Sequence, residues 1–214
     1  MNKNKHAIEY LRNEKKQTTV NEKIDAVIMF VDLNDIEWRN RYEEYIKNHE
    51  IPIPEINNVE VRSRDYGTLK CLIRSIEKNI PWINNVFLVV QSESQVPEWI
   101  NRETVKVVLH EEFIPKEFLP TFNCNTIEMF MHKISNISEK FIYFNDDMII
   151  NKISAQEDFF KGNLCNLLSE KCIENVGKNT WYNCQLNGTR IVNRILNIDE
   201  YENVWHKFPH TITP

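Results

Sequence analysis

Four short runs of the chain are apolar almost from end to end: Ile24 to Val31 (IDAVIMFV), Asn85 to Gln91 (NVFLVVQ), Val105 to Leu109 (VKVVL) and Phe141 to Phe144 (FIYF). A strand with one face in water alternates apolar and polar residues, whereas these runs do not. They therefore read as strands covered on both faces. Helix-like stretches separate them. Ile36 to Lys47 carries a stripe of Trp38, Tyr42, Tyr45 and Ile46, with Asp35 as its cap. Leu69, Leu72, Ile73, Ile76 and Ile80 recur at helical spacing, and Pro81 ends that helix. Asn125 to Ser135 points Ile127, Phe130, Met131 and Ile134 inward. Strands alternating with helices predict an α/β fold with a mostly parallel central sheet and helices on both faces.

Other segments are less informative. Residues 1–22 form a polar N-terminal tail or frayed helix, and residues 23–214 a single domain. Ile51 to Asn58 reads as loop, Val59 to Arg64 as a short strand, and Pro97 to Ile100 as one helical turn. Beyond Asp158 the pattern supports a strand near Leu164 to Leu168 and a helix within Gln185 to Leu196.

Composition narrows the function. A formal charge of -5 argues against nucleic acid as a partner. The 5 cysteines are unevenly spaced and include no CxxC pair, which suits free thiols in a reducing compartment. Without an apolar leader or a run of about 20 apolar residues, the chain reads as cytoplasmic, with docking onto a membrane complex left open. GxSxG, P-loop, HExxH and GxGxxG signatures are missing, so hydrolase, nucleoside-triphosphatase, zincin and dinucleotide-binding readings lack support.

In parallel sheets, ligands bind outside the carboxyl ends of the strands. Three acidic clusters fall there: Asp32 with Asp35, His110 with Glu111 and Glu112, and Asn145 with Asp146 and Asp147. Two adjacent carboxylates after FIYF need water, a cation or hydrogen-bond donors. Mg2+ and Mn2+ want hard oxygen ligands, often one or two carboxylates with substrate phosphates completing the shell. Such a pair clamps nucleotide diphosphates in glycosyltransferase-like α/β folds; the alternative is a solvated turn. Arg62, Arg64 and Arg74 suit phosphate oxygens, or surface ion pairs, with Asp65 a helix cap. Asp32 and Asp35 offer contacts to a ribose, base or metal, although both have ordinary turn and cap roles. Asn125 and Glu128 resemble a capping box, and His132 shares a helical face with Glu128. His206 and His210 near the C-terminus are bases by type.

Taken together, the motifs resemble the Stealth family of sugar-phosphate transferases. That family includes bacterial capsular polysaccharide phosphotransferases and the animal N-acetylglucosamine-1-phosphotransferase of lysosomal enzyme tagging. Its first block, a strand followed by V-[DN]-G-x-D-P-x-W, is similar to Ile24 to Trp38, with Phe30, Leu33 and Ile36 replacing the usual tryptophan, glycine and proline. The second block is closer and runs from about Arg64 to Phe160. It includes R-x-Y-G-x-L-K-x-x-x-R-S-I-E-K at Arg64 to Lys78, Pro81-Trp82-Ile83, Val96 to Trp99 and His110-Glu111. Leu119 to Asn123, Ile127-Glu128, His132, Ser138 to Asp147 and Asp158 to Phe160 continue it. Pro209 to Pro214 resembles the opening of a third block around a histidine. The rest of that block and a fourth do not follow, so the expectation is a C-terminally incomplete core or a degenerate copy.

The resemblance implies a glycosyltransferase-A-like, Rossmann-like core. It also implies transfer of hexose-1-phosphate from a nucleotide diphosphate-sugar, UDP-linked by expectation, to a sugar hydroxyl of a surface polysaccharide or other glycan acceptor. In that scheme His210, Asp147 and Arg64 are catalytic, and Asp146 and Asp147 hold Mg2+ or Mn2+. Asp32, Asn34, Arg74, Asn123, Glu128, His132 and Asn145 bind donor or acceptor. The alternatives are a metal-dependent glycosyltransferase and an inactive scaffold.

Overall fold

The computed structural model describes residues 23–50, 66–161, 164–165, 168–171, 204–207 and 211–212. The chain divides into two compact units, one spanning Lys23–Ala155 and the other comprising residues 1–22 and 156–213.

The Lys23–Ala155 unit is built on four parallel strands: β1 (Ile24–Met29), β2 (Val86–Val90), β3 (Val105–Leu109) and β4 (Lys140–Asn145). Their order is β3-β2-β1-β4. The continuous apolar runs are explained by burial: Ala26, Val27, Ile28, Leu88, Val89, Val90 and Ile142 are fully enclosed. β1 and β2 are slightly shorter than their apolar runs, β3 coincides with its run, and β4 extends one residue beyond its run at each end. β1 and β4 lie side by side, with Met29 opposite Asn145. After β1 the chain crosses to β2 on one side, while β4 returns on the other. Their carboxyl ends therefore flank the switch point of the sheet, where such folds open a crevice.

Helix α1 (Ile36–Asn48) starts at Asp35, whose side chain accepts the Glu37 N–H, as the sequence predicts. Its stripe is aromatic. Trp38 stacks on Tyr42 at 5.1 Å between centroids, and Phe122 meets both rings edge-on. Helix α2 (Thr68–Asn79) buries Leu69, Leu72 and Ile76, and the following Ile80 is also enclosed. Its N-cap is Gly67 rather than Asp65. Gly67 has φ +70°, a left-handed conformation that glycine adopts without steric cost.

A short helix, α3 (His110–Phe113), follows β3, and α4 (Cys124–Phe130) precedes β4. Here the sequence reading needs two corrections. The cap of α4 is Asn123, which accepts the Asn125 N–H at 3.0 Å, so Asn125 and Glu128 form no capping box. The α-helix also ends at Phe130 and tightens into a 3-10 turn over Met131–Lys133 instead of continuing to Ser135. Met131 and Ile134 stay buried because the tighter turn still brings them onto the core. Pro97 to Ile100 closes as a turn through an Ile100 N–H to Pro97 carbonyl bond of 3.0 Å.

The segment after the acidic turn is pinned to α2 and the residues just beyond it. Ser75 Oγ accepts the Ile150 N–H at 3.0 Å, the Asn79 amide donates to the Ile150 carbonyl, and Trp82 Nε1 donates to the Ser154 carbonyl at 2.7 Å. Asp146 and Asp147 are thus held between β4 and a strap with its own anchors.

In the second unit, β5 (Phe160–Lys161) pairs antiparallel with β6 (Leu164–Cys165), and β7 (Leu168–Lys171) pairs antiparallel with β8 (Val204–Lys207). His206 lies on β8 opposite Ser169. The expected strand at Val59–Arg64, the helix within Gln185–Leu196, and Arg62, Arg64, Asp65 and His210 lie outside the described residues. No described helix is long and apolar enough to cross a membrane.

Candidate active site at the sheet's switch point

The loops after β1, β2 and β4 and the start of α2 enclose a cleft of about 470 Å3. Asp32, Asn34, Asp146 and Asp147 line it, so four of the residues singled out in the sequence converge there. Asp147 is exposed and Asp146 half-buried. Gly67, Thr68 and Lys70, from the amino end of α2, share the same cleft. Gly67 offers no side chain to cap the first N–H groups of this 12-residue helix. The positive end of the helix dipole therefore borders the carboxylate-lined space. Lys70 adds a full charge, with Nζ 5.4 Å from the centroid of Trp99, another residue of the cleft. Carboxylates with a cation and a helix amino end give a site that can take a divalent metal and phosphate together.

Lys70 was within the quoted motif but carried no assigned role, and nothing local in the sequence marks Gly67 as a cap facing a ligand. The role of Gln95 was missed as well. It is 1% exposed, and it ties the loop after β2 to the loop after β1. Its Oε1 accepts the Asp32 N–H at 2.7 Å, while its Nε2 donates to the Asp32 carbonyl at 3.1 Å and to Asp35 Oδ2 at 2.6 Å. Asp32 Oδ1 in turn accepts the Asn34 N–H at 2.8 Å, fixing the tip of that loop.

Asp35 is occupied structurally. Burial works to raise its pKa, but hydrogen bonds from Gln95, Ser94 and the Glu37 and Trp38 backbone outweigh that and leave it below the ordinary value. A carboxylate so engaged is a poor ligand for a substrate.

The remaining predicted residues are dispersed. Arg74 is exposed on α2 and Asn123 is the α4 cap; neither lines the cleft. Glu128 and His132 do not act as a pair. Glu128 turns inward to the Tyr143 hydroxyl at 3.3 Å, and His132 is exposed on the 3-10 turn. Burial raises the Glu128 pKa, opposed by the Tyr143 hydrogen bond. The Tyr143 hydroxyl, whose single proton serves one acceptor at a time, also lies within hydrogen-bond reach of Asn145 Oδ1, so a polar chain runs from Glu128 to the residue before the acid pair. Burial, reinforced by the Glu128 charge, pushes the Tyr143 hydroxyl well above its usual pKa.

A second, smaller cavity of about 140 Å3 lies beside the cleft and shares Phe30, Val31 and Asp146 with it. Gln91, His110, Trp38, Phe122 and Asn145 also line this cavity.

The Stealth protein CR2 model, conserved region 2, matches residues 62–167. The chain is similar to the capsular polysaccharide phosphotransferase WcwK of Streptococcus pneumoniae, with 41% identity over 145 residues, covering 67% of this chain and 42% of that protein. It is 40% identical over 148 residues to capsular polysaccharide phosphotransferase CpsJ of Streptococcus thermophilus, covering 68% of this chain and 61% of the relative. A third relative, capsular polysaccharide phosphotransferase cps1A of Actinobacillus pleuropneumoniae, is 31% identical over 204 residues, covering 93% of this chain and 56% of that protein. The chain thus spans about half the length of these curated relatives. The matched region holds the amino end of α2, the Gln95 staple and the acidic turn, and on that ground the chain belongs to the Stealth family.

Proposed function

We propose that the cleft binds a nucleotide diphosphate-sugar and supports transfer of its hexose-1-phosphate to a hydroxyl of a growing capsular or exopolysaccharide chain. One observation carries this reading: Asp32, Asn34, Asp146 and Asp147 converge with Lys70 and the amino end of α2 in one cleft. The names of the relatives give the reaction class. In the proposed step the acceptor oxygen forms a bond to the β-phosphorus. The bond from that phosphorus to the oxygen bridging it to the α-phosphate breaks, and nucleoside monophosphate leaves.

Catalysis of this kind is largely positioning and charge neutralisation. Lys70 and the α2 N–H groups bind phosphate oxygens, and Asp32 and Asn34 orient the nucleoside. Asp146 and Asp147 fit Mg2+ or Mn2+ by donor type. Among the described residues no group of three or more His, Cys, Asp or Glu side chains is disposed to hold a metal. The protein would therefore contribute one or two carboxylates, and donor phosphates the remaining oxygens. When bound, such an ion neutralises charge on the diphosphate. Arg64 is assigned to phosphate and His210 to removal of the acceptor proton, both by resemblance alone. Association with a membrane polysaccharide-synthesis complex is part of the same proposal.

The test is product analysis with a UDP-hexose, Mn2+ and a capsular oligosaccharide acceptor. Release of uridine monophosphate supports phosphotransfer. Release of uridine diphosphate would show ordinary glycosyl transfer and overturn the proposal.

A further inference from the structure

Among the described residues, the buried side-chain polar atoms left without a partner all line the smaller cavity. Gln91, immediately after β2, has both amide atoms buried without a protein hydrogen-bond partner. His110, the first residue of α3, is 5% exposed, and neither of its ring nitrogens has a partner. Buried polar groups are almost always paired, and leaving one unpaired costs about 1–3 kcal/mol. Here two such side chains line the same cavity of about 140 Å3. A fold that tolerates this twice in one place has a ligand in view.

The chemistry of the wall selects that ligand. Burial pushes the His110 pKa down to about 4, so at neutral pH the ring carries one N–H and one bare nitrogen. Gln91 adds an N–H2 and a carbonyl. Both residues offer donors and acceptors without charge, which suits hydroxyl groups and disfavours phosphate. Trp38, Phe122, Met29, Phe30, Val31 and Ile127 supply the apolar remainder of the lining. Trp38 and Phe122 meet edge to face at 80°, so they form no parallel slot for a flat base. At about 30 Å3 of liquid volume per water the cavity has room for about five waters, the size that admits a single six-membered ring and too little for a disaccharide. It adjoins the larger cleft at Asp146, beside the proposed diphosphate position.

We infer that this cavity is the subsite for the uncharged hexose ring of the donor, with Gln91 and His110 hydrogen-bonding its hydroxyls. The inference rests on the proposed nucleotide-sugar cleft and deepens it.

Calorimetry with Mn2+ tests it on the wild-type chain, Gln91→Leu and His110→Phe, using UDP against UDP-glucose and GDP against GDP-mannose. The wild type should bind one nucleotide-sugar about tenfold more tightly than its nucleoside diphosphate, a difference equivalent to one or two neutral hydrogen bonds. Both variants should lose that margin and keep the affinity for the nucleoside diphosphate. Nucleotide binding with the same margin in the variants as in the wild type, or with no margin in the wild type, overturns the subsite alone. Absence of binding by every nucleotide overturns both the subsite and the cleft. Should a variant fail to fold, the His110 ring resonances of the wild type serve instead. They should shift with the nucleotide-sugar and not with the nucleoside diphosphate, and an equal response to both would sink the assignment.

Discussion

The two ends of the central strand pair treat carboxylates in opposite ways. At the amino end of β1, Asp25 is fully buried and its oxygens are taken. Asn84 and Asn85 donate to Oδ1 at 2.8 and 2.9 Å, and the Ser138 N–H donates to Oδ2 at 2.7 Å. At the carboxyl end of the neighbouring β4, Asp146 and Asp147 line an open cleft. The same residue type is a structural rivet at one end and a candidate ligand at the other. What separates them is the set of donors around each. Asp25 closes the loops that start β2 and β4, whereas the far end holds its acids in a turn whose strap is anchored elsewhere.

Exchanging the roles gives the sharpest tests. Asp147→Asn should lower transfer by about 10²–10³-fold, as expected for loss of electrostatic stabilisation, while stability changes by no more than about 0.5 kcal/mol. Assays paired with urea unfolding would show both. Asp25→Ala should do the reverse, costing about 3 kcal/mol or more because it strands three donors. An unfolding midpoint equal to the wild type would erase the contrast. His110 extends the comparison to pH. Its native pKa of about 4 lies below the ordinary 6.5, so protons bind the unfolded chain preferentially between those values. The contribution is complete above about pH 6.5 and declines as pH falls toward 4, by up to about 3 kcal/mol at ~1.4 kcal/mol per unit. Unfolding of His110→Phe across that range should follow a flatter curve. Gln95→Ala should cost about 1–3 kcal/mol by releasing Asp32 and Asp35 together, and should return the Asp35 carboxyl toward its ordinary pKa. Carboxyl titration by NMR would report that change.

The four strands were legible because burial on both faces leaves no polar alternation to confuse the pattern. Asp35 was legible as a cap because its partner is two residues away. The Asn125–Glu128 pair has the spacing of a capping box, yet Glu128 spends its carboxylate on Tyr143, 15 residues distant, and Asn123 caps the helix. The overlong α4 had a similar cause: Met131 and Ile134 keep a helical rhythm in a backbone that has already tightened. In the site, the carboxylates were legible as strand-end residues. The cationic wall was not, since it depends on where the α2 amino end lands, and Gln95 reaches its partners across 60 and 63 residues. Gln91 read only as the end of a strand, and His110 as part of a strand-end cluster with Glu111 and Glu112. Only the enclosure of their polar atoms sets them apart.

The Gln95 staple has a consequence for anyone transplanting parts of this protein. Two loops that are separate in sequence are one piece in construction, because the Gln95 amide of one holds both the Asp32 backbone and the Asp35 capping carboxylate of the other. A graft of residues 32–35 from a nucleotide-sugar enzyme would arrive without its fastening. The working module is that segment together with residues 92–96, and a chimera that moves both should keep the geometry of its donor.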